Sequence, residues 1–125
     1  MLEDAITGRA IETVPYAKDF ERRRARLSED DFDAVVDALT KQLDSVPVGK
    51  STSVSWIPGS DWTGTVFMPI YTHACGRNFE AAALFLGSLM KWVVIHHPSN
   101  WRSVKQPKAK GDPEGIETTL YWRVD

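Results

Sequence analysis

Hydrophobic and polar positions along this 125-residue chain fall into a few clear periods. Ser28 is followed by Glu29, Asp30 and Asp31, and then Phe32, Val35, Val36, Leu39 and Leu43 recur at spacings of three and four. A hydroxyl that can accept from the N–H of Asp31, with acids at the positive end of the helix dipole, is an N-cap signature. The spacing predicts an amphipathic helix over residues 29–44 with one core face. Residues 18–26 form a shorter, charge-dense helical stretch ahead of it. Asn78 caps a second long segment, and from Phe79 to about His97 few polar residues interrupt the apolar run, so a helix over residues 79–97 has to be covered on most sides. Pro98 ends it.

The remaining segments read as short strands and turns. Residues 51–57 are rich in β-branched and aromatic side chains, which predicts a strand, and 66–68 predict another short one. Pro69 opens a short helical segment that stops at Cys75-Gly76. Residues 101–106 read as a strand, 108–115 as a polar turn and 116–124 as the second arm of a hairpin. In that arm Ile116, Thr118, Leu120, Trp122 and Val124 share the expected inner face. Residues 1–17 show no sustained period and read as an extended arm. The pattern as a whole predicts one α+β domain over residues 1–125: a small antiparallel sheet packed on a central apolar helix (79–97) and an amphipathic helix (29–44).

Composition narrows the class. Apolar residues make up 42% and charged residues 26%, a balance that supports a packed core. Fifteen basic against seventeen acidic side chains give a formal charge of −2, so no global field draws nucleic acid or an anionic membrane. The single cysteine, Cys75, cannot close an internal disulfide, and the acidic start Met1-Leu2-Glu3-Asp4 lacks the look of a secretory signal. The expectation is a cytoplasmic protein. The most apolar stretch, 81–95, is shorter than the roughly 20 residues a bilayer span needs. Five tryptophans are a heavy load for this length, and each ring belongs either to the core or to a binding surface.

Candidate chemistry concentrates in one loop. Gly59 and Gly64 expose backbone N–H groups between Trp56 and Thr65, while Ser60, Asp61 and Thr63 add side-chain donors and acceptors, and Trp62 has neighbours poorly suited to carrying it into a core. With Tyr71, these residues (Trp56, Gly59, Ser60, Asp61, Trp62, Thr63, Gly64) form the candidate site for a ligand or partner. The glycine spacing approaches a phosphate-binding loop, but Thr65 and Val66 stand where that loop needs lysine and a hydroxyl. His73, Cys75, His96 and His97 have no zinc-ligand spacing, and the reading of His96 and His97 is favourable interaction with a helix C-terminus. A trio of Cys75, a histidine and Asp61 can be written down, yet no nucleophile-elbow signature surrounds it. Arg22, Arg23, Arg24 and Arg26 adjoin acids and read as a solvated helix face. No catalytic residue, metal or cofactor is assigned.

The block Ser55-Trp56-Ile57-Pro58-Gly59-Ser60-Asp61-Trp62-Thr63-Gly64-Thr65, with Pro69-Ile70-Tyr71 and the alanine-rich helix carrying Trp92, resembles small uncharacterised bacterial proteins of prophage and mobile-element neighbourhoods. The resemblance covers residues 53–101. It implies an accessory or host-interaction role and brings no activity, cofactor or catalytic motif. The expected function is therefore a small non-enzymatic binding protein, a regulator or inhibitor acting through protein contacts or self-association, since aromatic anchors dominate such interfaces. The alternative is a small-polar-ligand binder or minor enzyme in which the 56–65 loop and Tyr71 close over the ligand.

Overall fold

The expected C-terminal antiparallel pair, extended by shorter strands, builds the sheet in the computed structural model, which describes residues 1–53, 62–106 and 118–125. In chain order the elements are β1 (Leu2–Asp4), β2 (Ala10–Ile11), α1 (Ala17–Arg24), α2 (Glu29–Asp44), β3 (Ser51–Thr52), a π-helix (Ile70–Ala74), α3 (Phe79–His96), β4 (Trp101–Gln106) and β5 (Thr118–Arg123). The five strands form one sheet in the order β2-β1-β4-β5-β3. The α+β class and the helix-on-sheet packing are as the sequence pattern indicates.

Two expectations about the sheet are corrected. It is mixed rather than antiparallel, because β1 runs parallel to β4 with Leu2 beside Trp101 and Asp4 beside Ser103. Residues 1–17 are accordingly not an arm: β1 and β2 form a small antiparallel pair that completes one edge. A turn held by Asp4, whose carboxylate accepts from the N–H groups of Ile6 (2.8 Å) and Thr7 (3.0 Å), links them. Those two donors hold the Asp4 carboxyl below its ordinary range.

The parity of β5 is the reverse of the expected one. Tyr121 pairs with Ser103 of β4 and Thr52 of β3, and all three are buried on the face that meets the helices. Leu120 and Trp122 lie with Val104 and Arg102 on the other face, outside the main core. Alternation within β5 alone favours the Leu120 and Trp122 face, and the cross-strand pairing of Tyr121 with buried Ser103 and Thr52 overrides it.

Both long helices start at the expected caps. Ser28 Oγ accepts from Asp31 N at 3.1 Å, and Asn78 Oδ1 accepts from Ala81 N at 3.1 Å. Phe32, Val35, Leu39 and Leu43 of α2 pack into the core with Ala82, Phe85, Leu86, Leu89, Met90, Val93 and Val94 of α3. The expected 66–68 strand is absent; a turn leads into a helical start at Met68 and Pro69, and Cys75 N donates to Ile70 O in the i to i+5 pattern of a π-helix. Gly76 (φ 57°) and Arg77 (φ 64°) then turn the chain left-handed, and Arg77 N donates back to Tyr71 O at 2.7 Å. The expected turn at 108–115 and the strand beyond Ser53 lie outside the described residues.

α3 is 18 residues long with a mean hydropathy of 1.4, long and apolar enough by composition to cross a bilayer, so the shortfall expected from the 81–95 run does not hold. In the fold one side of this helix is core.

Candidate binding surface

Trp62 is the first candidate that the structure relocates. It is 5% exposed, with Phe79 and Phe67 rings 5.5 and 6.4 Å from its own. Thr65 fixes the chain just after it: Thr65 Oγ1 donates to Trp62 O at 2.7 Å and accepts from Phe67 N at 3.2 Å. This hydroxyl turn lets the chain reverse directly behind the tryptophan, so the ring enters the core from a loop. The expected surface anchor is a core plug. Thr63 and Gly64 beside it are exposed, and Gly64 has φ 75°. Tyr71 is half-buried on the π-helix and packs against the core. Trp56, Gly59, Ser60 and Asp61 lie outside the described residues, so the polar-ligand reading has no described geometry beneath it.

The histidines separate into distinct roles. His96 Nδ1 bonds to Trp92 O at 2.7 Å in the last turn of α3, the C-terminal position expected of it. His97 is not a solvated dipole partner. Its side chain is 2% exposed, and its Nε2 lies 2.7 Å from Asp44 Oδ1 on α2. Nδ1 accepts from both Trp101 Nε1 and Ser99 N at 3.1 Å. Indole and amide nitrogens only donate, so the ring carries its proton on Nε2 and gives it to Asp44. The cluster ties α2, α3 and β4 together; Ser99 joins it through its backbone N–H, while its hydroxyl oxygen accepts from Arg123 at 2.9 Å. His73 is exposed whereas Cys75 is buried, and no group of three potential ligands converges among the described residues. Burial pushes the Cys75 thiol up, against the opposing pull of Arg23, the reverse of what a thiolate nucleophile needs.

The arginine run is structural in a way its sequence conceals. Arg22 and Arg23 pair with Asp19 on α1, and Arg23 and Arg26 both donate to Ala74 O at the end of the π-helix, at 3.5 and 3.3 Å. Arg24 lies on the other side of α1, 4.1 Å from the Phe32 ring and 5.2 Å from that of Trp92. Consecutive helical positions point about 100° apart, so one run reaches three neighbours and forms no single basic face.

What sequence reasoning missed is a groove between α1 and α3. It encloses about 200 Å³ and is lined by Tyr16, Asp19, Phe20, Leu84, Phe85 and Ser88. Its floor is the stacked pair Phe20 and Phe85, 5.3 Å between ring centres. Its rims are large apolar side chains left in solvent: Tyr16 is 80% exposed and Leu84 68%. Tyr16 takes up left-handed backbone (φ 54°, ψ 47°) immediately before α1, with no side-chain cap to account for it. A bulky residue in that region is strained by about 1–2 kcal/mol. The sequence marks this side of α3 only by the arc on which Glu80, Ser88 and Lys91 fall, and nothing in it sets Leu84 apart from the buried leucines or reveals the groove with α1.

No family model, curated protein or solved structure matches this sequence.

Proposed function

We propose that the protein is a non-enzymatic binding protein, a regulator or inhibitor acting through protein contacts, and that the groove between Tyr16 and Leu84 is its contact surface. The observation that supports this is Leu84: a leucine 68% exposed beside an apolar groove, on a helix whose other large aliphatic residues are buried or half-buried. Exposed leucine and tyrosine add nothing to the fold, while association that covers them removes apolar area from water. The strained backbone at Tyr16 points the same way, since strain of this kind accumulates at ligand-contacting positions. The groove takes an apolar side chain of a partner protein, and the polar rim of Asp19 and Ser88 orients it. A reducing compartment such as the cytoplasm suits the lone buried Cys75.

The test is peptide selection on the immobilised chain from a random library, followed by titration of the enriched peptides against wild type and Leu84→Arg. Peptides sharing an apolar anchor, with affinity at least about tenfold weaker for the variant, are expected. Absence of enrichment, or equal binding to both proteins, overturns the reading.

A further inference from the structure

From the uncovered face of α3 we infer that the occupant of this surface is a second copy of the chain, docked by antiparallel pairing of α3 with its own image. The inference rests on the binding reading above and names the partner.

Glu80, Ala83, Leu84, Gly87, Ser88 and Lys91 fall within an arc of about 140° on α3 at about 100° per residue. All six are exposed or half-buried, whereas Ala82, Phe85, Leu86, Leu89, Met90 and Val93 on the other side are buried. A glycine at the middle of an 18-residue helix weakens it by about 1 kcal/mol relative to alanine. Nothing among the described residues requires that glycine: a Cβ built on Gly87 meets none of their atoms within 4 Å. Leu84, one turn before it, projects into solvent. The helix therefore carries a knob and a hole side by side, each unfilled.

A two-fold axis crossing α3 between Phe85 and Leu86 satisfies both. It sets Leu84 against the second copy's Gly87, Ala83 against the second copy's Ser88, and Glu80 against the second copy's Lys91. In an isologous interface each pair occurs twice, so one self-complementary stripe supplies the whole contact. Small residues at its centre permit helix axes about 8 Å apart, the close end of the usual range. The charges support the same register. Among the described residues Lys91 has Lys105 of β4 and Asp4 of β1 as its charged neighbours, and burial together with Lys105 lowers its proton affinity below that of an ordinary lysine. The second copy's Glu80 brings a carboxylate to this side chain. Tyr16 adds an aromatic edge beside Leu84, and a formal charge of −2 opposes self-association only weakly. A foreign partner would not need the two halves of one helix to complement each other.

Sedimentation of the full chain between about 1 and 200 μM tests this, with circular dichroism and unfolding midpoints confirming that each variant folds. Wild type is expected to dimerise with rising concentration. Leu84→Arg is expected to remove the dimer, and Gly87→Leu to weaken it at least about tenfold while raising the unfolding midpoint of the monomer. Glu80→Lys and Lys91→Glu are each expected to weaken it about fivefold or more, and the double exchange to return it to within about threefold of wild type. Because Glu80 and Lys91 lie outside the buried core, this exchange decides the case even if Leu84→Arg fails to fold. A wild-type monomer throughout the range, a dimer indifferent to Leu84, or an exchange that does not restore pairing overturns the inference. Monomeric wild type with Leu84-dependent peptide binding overturns only the choice of a second copy; a monomer that binds no peptide overturns the binding reading as well.

Discussion

Replacing His97 with alanine should destabilise the protein far more than removing the carboxylate His97 touches. The imidazole fills a buried position, meets the Trp101 ring edge-on at 5.5 Å and accepts the indole N–H at 3.1 Å. Trp101 is 1% exposed, so without His97 its N–H is buried and unpaired, a cost of about 1–3 kcal/mol. The lost ring contact adds about 1 kcal/mol. Ser99 N, half-buried, can turn to water and adds little. The total is about 3 kcal/mol from a fold whose whole stability is expected at about 5–15 kcal/mol. Asp44 has a side chain 61% exposed, so its bond to His97 contributes less than about 1 kcal/mol. With a urea slope of about 1–3 kcal/mol per molar, His97→Ala should lower the urea midpoint by about 1–3 M and Asp44→Ala by no more than a third of that. Tryptophan fluorescence and far-ultraviolet circular dichroism should report one coincident transition. In the His97→Ala background Trp101→Phe removes the orphaned donor, so the double variant should lose about 1 kcal/mol less than the two single losses combined. A midpoint unmoved by His97→Ala, or an Asp44→Ala loss equal to that of His97→Ala, would refute the assignment of the indole as the partner that matters.

Three further outcomes follow from the packing. Trp62→Ala should cost about 3–5 kcal/mol in denaturation, the behaviour of a core ring; a loss below about 1 kcal/mol would return Trp62 to the surface role its neighbours suggest in sequence. Leu86→Ala should cost about 2–5 kcal/mol, because Leu86 is 2% exposed within the main core; an unchanged midpoint would mean that this side of α3 is not packed. Burial raises the Tyr121 phenol above its ordinary value, so its contribution is complete below the unfolded value of about 10 and is lost as pH climbs through the higher folded value. Stability should therefore fall on the alkaline side in wild type and fall less steeply in Tyr121→Phe, and parallel alkaline curves would contradict that burial.

The sequence by itself determined the features that depend on neighbours along the chain. Ser28 and Asn78 start their helices through side-chain bonds to an N–H three residues on, and the periodicity of α2 names its buried face. The segment opened by Pro69 and closed by Gly76 was legible for the same reason, although its i to i+5 ladder was not. Tertiary structure decided the rest. Two- and three-residue strands such as β1 and β2 have no period to read, and β1 exists because β4, about a hundred residues away, offers it a parallel edge. Tyr121 lies inside and Trp122 outside because cross-strand partners set the face even against the alternation of β5 itself. His97 finds Asp44 53 residues back, and a capped turn carries Trp62 inward from a glycine-rich loop. The candidate surface was the least legible of all. Glu80, Ser88 and Lys91 give one side of α3 a polar mark, but only the placement of α1, α2 and the sheet around α3 exposes Leu84 and opens the space at Gly87.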